Sequence, residues 1–135
     1  MITSYAQLIT VAGQQPEPQR LLFVFCRAEL SDDASDSEKQ RFEEGCGGAL
    51  SPVVCVDKSP SDVATFEVLQ EESRYTGQAW DIVFVAAMAG RGGIAPSADE
   101  ASQPLNMMVE KIRLGEVSGF LPFNRQGELV SLSGS

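Results

Sequence analysis

The chain contains no histidine. That removes imidazole acid–base catalysis near neutral pH, Ser-His and Cys-His nucleophile pairs, and most zinc and haem ligation. Basic residues are also scarce: ten Lys and Arg stand against nineteen Asp and Glu, for a net charge of −9. A nucleic-acid surface needs clustered cations to displace counterions, and here the cations are scattered, so no nucleic-acid partner is expected. Cysteine is limited to Cys26, Cys46 and Cys55, an odd number without CxxC spacing. Cys26 and Cys55 sit in apolar runs, where a thiol packs as a small hydrophobe, and Glu43 and Glu44 oppose a thiolate at Cys46. Such thiols suit a reducing cytosol, so a cytoplasmic location is expected. No apolar run reaches spanning length and the first residues carry no basic region, so neither a membrane segment nor a secretory leader is expected.

What is present is organised around Trp80–Gly93 (WDIVFVAAMAGRGG). Ile82–Ala87 is an unbroken apolar run, as in a strand covered on both faces, and it ends at Gly90, Arg91, Gly92 and Gly93. Glycines at that point suit a sharp turn or a close approach of the backbone.

The remainder alternates helical and strand-like segments. Thr3 or Ser4 can cap a first helix with Tyr5, Leu8, Ile9 and Ala12 at helical spacing and Gly13 as its stop. Leu21–Cys26 reads as a buried strand. It is followed by the acidic segment Glu29–Glu44, in which Ser35–Glu38 has capping-box spacing for a short helix. Pro52–Asp57 reads as a second buried strand. Ser59-Pro60-Ser61-Asp62 is a helix start for the stripe Val63, Phe66 and Leu69, ending near Gly77. Ile94–Ser102 reads as irregular. Pro104 is expected to open a last helix carrying Leu105, Met108, Val109 and Ile112. Phe120–Leu132 reads as a hairpin turning at Asn124–Gly127, with Pro122 placing its first arm at a sheet edge.

This order predicts a single α/β domain over residues 1–135. A mixed, mostly parallel sheet of four to five strands would carry helices packed on its faces and a C-terminal edge hairpin.

Four segments together carry a resemblance: PQRLLFVF (18–25), CVDKSP (55–60), VFVAAMAGRGG (83–93) and FLPFNRQGE (120–128). They resemble a family of small uncharacterised proteobacterial proteins that often carry the label "ribonucleotide reductase subunit alpha". Reductase catalysis needs a large barrel, a thiyl-forming cysteine and a reducing cysteine pair. A chain of 135 residues cannot build that barrel, and Cys26, Cys46 and Cys55 do not supply that arrangement. The resemblance therefore implies no mechanism.

In a parallel sheet, ligands sit beyond the C-terminal strand ends, where the loops 27–33, 57–61 and 90–94 are expected to converge. Gly90–Ala95 formally matches G-x-G-x-x-A, but it follows the third strand and leads to Pro96 rather than into a helix, so no dinucleotide cofactor is expected. Two readings of the loop remain open. One is an anion nest built from Gly90, Arg91, Gly92 and Gly93, with Lys58 and the Ser59 helix start contributing. The other is a plain turn with Arg91 paired to an acid such as Asp57. Asp57 and Lys58 also have the residue types for a catalytic acid and amine. Asp32, Asp33, Asp36 and Glu38 lack the spacing and central glycine of a calcium loop, so no metal site is expected. Phe120, Leu121 and Phe123 either offer a partner contact or cover the end of the core. The expectation is a non-catalytic binding domain for a protein or a small anionic ligand. The alternative is a small enzyme or a metabolite or phosphate sensor built on the 90–93 loop with Arg91, Lys58 and Asp57.

Overall fold

Nine residues from Tyr5 to Gly13 form helix α1, with Gln7 N–H donating to the Ser4 hydroxyl at its start. Strands β1 (Gln19–Glu29) and β2 (Ala49–Lys58) follow, then a 3-10 turn over Pro60–Val63 and helix α2 (Phe66–Arg74). Strand β3 (Ile82–Ala89), helix α3 (Ala98–Arg113) and strand β4 (Leu121–Asn124) complete the order. The computed structural model describes residues 2–29 and 49–130. The short helix expected near Ser35–Glu38, the acidic loop and Cys46 lie outside them.

The four strands form one sheet in the order β2-β1-β3-β4. Every neighbouring pair is antiparallel, which corrects the expectation of a mostly parallel sheet. The reason lies in what the apolar runs encode. A run such as Ile82–Ala87 requires cover on both faces, and an antiparallel sheet between helices supplies that as well as a parallel one does. Direction is set by the connections. β2 and β3 do run the same way with α2 between them, but β1 lies between the two strands, giving a split β-α-β unit rather than adjacent parallel strands.

Residue parity divides the core. Leu21, Phe23, Phe25, Val83, Val85 and Phe123 face α1, the 3-10 turn and α2, meeting Tyr5, Leu8, Val63, Leu69 and Trp80. Leu22, Val24, Cys26 and Phe84 face α3, meeting Ala101, Leu105, Met108 and Ile112. Tyr5 makes edge-to-face contacts with Phe66 and Phe123, and Phe25 with Trp80. Polar atoms in the first layer are paired: the Tyr5 hydroxyl donates to Val63 O at 2.7 Å, and Trp80 Nε1–H to Ser73 Oγ at 3.0 Å.

Two helix starts differ from expectation. Ser59 and Pro60 open only a 3-10 turn, and the Ser59 side chain makes no cap. The α-helix begins at Thr65, whose hydroxyl accepts from Val68 N–H at 3.3 Å. α3 begins at Ser97, not Pro104: Ser97 and Glu100 form a reciprocal capping box, and Pro104 lies inside the helix.

Among the described residues, β2 has no strand on its outer side. Pro52 and a break in register between Phe25 and Cys26 interrupt this edge, two devices that blunt strand-to-strand association. At the other edge, the expected hairpin is present in outline. Val130 N–H donates to Pro122 O at 3.0 Å, and the Asn124 side-chain oxygen accepts from Gln126 and Glu128 N–H across the turn. Residues 131 and 132 of its second arm lie outside the described residues.

Candidate functional site

Antiparallel pairing decides which loops meet. Lys58 lies opposite Leu21, and Ala89 opposite Gln19, so the exits of β2 and β3 share one rim of the sheet. The exit of β1 is at the other rim, where Cys26 lies opposite Ile82. The expected loop 27–33 therefore starts from the rim opposite the other two, which corrects the three-loop expectation; its residues 30–33 lie outside the described residues.

The shared rim is occupied from within. Asp57 forms an ion pair with Arg20, not with Arg91. Lys58 Nζ lies 3.2 Å from Glu72 Oε2 of α2. Asp57 and Lys58 also point to opposite faces of the sheet. Asp57 is opposite Leu22, which belongs to the α3-side core, and Lys58 is opposite Leu21, which belongs to the α2-side core. They cannot act together on one substrate atom. Ser59 is half-buried and extended, with its carbonyl accepting from Asp62 N–H.

The glycine loop is a tight reversal. Arg91 and Ile94 exchange both backbone hydrogen bonds at 3.0 Å, and Gly92 and Gly93 take φ of +60° and +81° between them. Two positive φ values in a two-residue loop belong to a type I′ turn, which glycine supplies without steric cost. The Gly93 amide, one donor of the expected nest, donates to Glu17 Oε2 at 2.7 Å, and the Gly90 amide to Pro18 O at 2.8 Å. Arg91 is exposed and has no ion-pair partner among the described residues. Of the two readings left open, the turn describes the backbone, with Arg20 as the partner of Asp57 in place of Arg91.

Phe123 is fully buried, and Phe120 and Leu121 are half-buried against the two core layers. These side chains cover the end of the core and do not form an exposed contact patch.

The described residues do form a half-open cavity of about 270 Å³ between α2 and the β1–β2 pair. Phe25, Val56 and Leu69 give it an apolar floor, while Lys58, Glu72, Ser73, Tyr75 and Thr76 form its polar side. The Ser73 hydroxyl donates to Gln70 O and accepts from Trp80, and the Thr76 hydroxyl donates to Ser73 O and accepts from Gln78 N–H. Glu72 Oε2 differs from both. It is shielded from solvent and accepts no hydrogen bond, because Lys58 Nζ is within ion-pair range but not aligned to donate. Only Lys58 among these residues was a site candidate on the sequence. A signal for the others was present: Leu69, Glu72, Ser73 and Thr76 follow i, i+3, i+4, i+7 spacing, which places polar side chains on the apolar face of the helix.

Two buried acids link this layer and the one opposite to pH. Burial, with the Glu72 charge adding to it, pushes the Tyr5 phenol well above its usual range, and burial pushes the Cys26 thiol up to about 12. Both groups ionise more readily in the unfolded chain, so their stabilising effect is complete below the unfolded pKa values and is lost as pH rises toward the folded ones. Urea denaturation should show unchanged stability from pH 6 to 8 and a loss of about 1 kcal/mol from the thiol by pH 10. In Cys26→Ala that early part of the alkaline slope should disappear.

Among the described residues no helix is long and apolar enough to cross a membrane. No family model, curated protein or solved structure matches this chain.

Proposed function

We propose that this chain is a binding domain rather than a catalyst, and that its ligand enters the cavity beneath α2 instead of the glycine turn. The observation that carries this reading is the contrast between a turn whose donors are taken and a concave space with an apolar floor. At the rim, Asp57 is paired with Arg20 and the Gly93 amide with Glu17. In the cavity, Phe25, Val56 and Leu69 line an open apolar space beside the half-exposed Lys58–Glu72 pair. Concave, mostly apolar sites with a few convergent polar groups are where small molecules bind. The absence of histidine and the opposed directions of Asp57 and Lys58 favour binding over chemistry. The unpaired thiols Cys26 and Cys55 support a reducing, cytoplasmic setting.

A panel of small fragments, titrated into 15N-labelled protein, should move the amide signals of Val56, Lys58, Leu69, Tyr75 and Thr76 in a saturable way. Inorganic phosphate at millimolar concentration should leave Gly90–Ile94 unmoved. Saturable shifts confined to Gly90–Ile94 would return the site to the turn, and silence across the panel would remove the cavity as a site.

A further inference from the structure

The cavity stands at an open edge of the sheet. β2 has no outer neighbour among the described residues, and the space lies between this outermost strand and α2. The two devices that blunt the edge, Pro52 and the register break, both lie toward the start of β2. From Val54 to Lys58 the pairing with β1 is continuous and contains no proline, so alternate residues turn their backbone N–H and C=O groups outward. Leu21–Cys26 of β1 are all buried, whereas none of Ser51–Lys58 is, and Val54 and Val56 are only half-covered. Pleat parity aligns the edge with the cavity. Val54, Val56 and Lys58 lie opposite Phe25, Phe23 and Leu21, on the α2 side. A strand laid beside β2 would therefore turn every second side chain toward the cavity. At about 270 Å³ the space is just below the usual range for drug-sized ligands, which suits one large inserted side chain. On α2, Val68, Glu72 and Tyr75 follow i, i+4, i+7 spacing, and both apolar members of that row are exposed. Extended segments are recognised in this way: edge hydrogen bonds supply affinity, and pockets for alternate side chains supply specificity. Charge decides between occupants. A second copy of this chain would bring a further net charge of −9 to the same edge, whereas a neutral or basic segment would not.

We infer, building on the cavity reading above, that the partner is an extended peptide segment of neutral or basic charge. It adds to β2 along Val54–Lys58 as a further strand and inserts one large apolar side chain over Phe25, Val56 and Leu69, beneath α2.

The test titrates the peptide KTVTFTVTK, whose valines and phenylalanine share one face, into 15N-labelled full-length protein. Saturable shifts should run along Val54–Lys58 and include Leu69, Tyr75 and Thr76, and hydrogen exchange should slow at alternate β2 amides. Replacing the central phenylalanine of the peptide by alanine should weaken binding at least about tenfold. Two further versions carry methyl groups on alternate backbone amides. Only every second amide faces β2, so one version should lose binding and the other should keep it. Equal binding by both methylated versions would reduce the contact to side-chain insertion and overturn strand addition. Slow exchange at alternate β2 amides before any peptide is added would show the edge already covered by this chain and would also overturn it. A doubled mass in sedimentation without peptide, with the β2 signals moving on dilution, would make a second copy the occupant instead. Silence from the peptide while the fragment panel shifts Val56, Leu69 and Thr76 would remove the inference and leave cavity binding intact. Silence from both would remove the inference together with the site.

Discussion

Gly90→Ala should lower stability by about 2–3 kcal/mol, the upper part of the range for forcing atoms into an occupied space, or roughly 8–12 °C in melting temperature for a domain of this size. The cause is position rather than backbone angle. Gly90 is not among the glycines with positive φ, but a Cβ there would overlap the Ile94 carbonyl oxygen. That oxygen is fixed because it accepts the Arg91 amide across the turn. The atom to be displaced is thus backbone in a two-residue reversal, and it cannot yield without opening the reversal. Gly92 provides the comparison. A Cβ there meets nothing, but its φ of +60° costs an L-residue about 1–2 kcal/mol. Gly92→Asn should recover much of that cost because asparagine tolerates the left-handed region. Thermal melts of Gly90→Ala, Gly92→Ala and Gly92→Asn should rank in that order from least to most stable. Equal melting of Gly90→Ala and the unmodified chain would mean that the 90–94 turn is not closed as described.

Pro104→Ala should act in the opposite direction, raising stability by about 1–3 kcal/mol. Pro104 stands in the interior of α3, seven residues after the Ser97 cap. There it has no N–H for the Glu100 carbonyl, and its ring crowds the preceding turn. Alanine restores the hydrogen bond and removes the crowding. Part of the gain is offset because the half-buried proline ring loses contacts and the unfolded chain gains freedom. Residues Ala101, Leu105, Met108 and Ile112 should keep their seats on the sheet, so the urea dependence of the unfolding free energy should stay the same while the midpoint rises. A lower midpoint would mean that the proline ring contributes more as packing than it costs as a helix breaker.

These two positions also mark what could be read from the chain and what could not. Both fall in segments whose punctuation was visible. The glycines at 90, 92 and 93 signalled a turn and a close approach, and both occur, although the residues alone could not distinguish a turn from an anion nest. What decides between them is Glu17, seventy-six residues from Gly93, whose carboxylate takes the amide a ligand would need. Pro104 signalled a boundary, but Ser97 and Glu100 formed a stronger start seven residues earlier, and local capping prevailed over the proline. Pro52–Asp57 is an edge strand with Cys55 exposed, not the buried strand expected, but the two buried strands were legible because covered ribbons need continuous apolar residues. Their direction was not, since Leu21–Cys26 and Ile82–Ala87 would read the same in either orientation. The cavity was hidden for a related reason: Glu72 is one of five consecutive polar residues after Leu69, and only helical phase shows that it turns inward.

The placement of β1 has a consequence for how the chain is made. β1 is the first strand to be synthesised and carries some of the most completely enclosed side chains, yet one of its two neighbours is β3, with Gln19 paired to Ala89. During translation this greasy ribbon must therefore wait, half-dressed, until about seventy further residues have left the ribosome. Pairings between such distant residues slow folding and lengthen the exposure of sticky intermediates. Recovery of this protein from a cell should accordingly depend on elongation speed and on chaperones that shelter nascent hydrophobic segments.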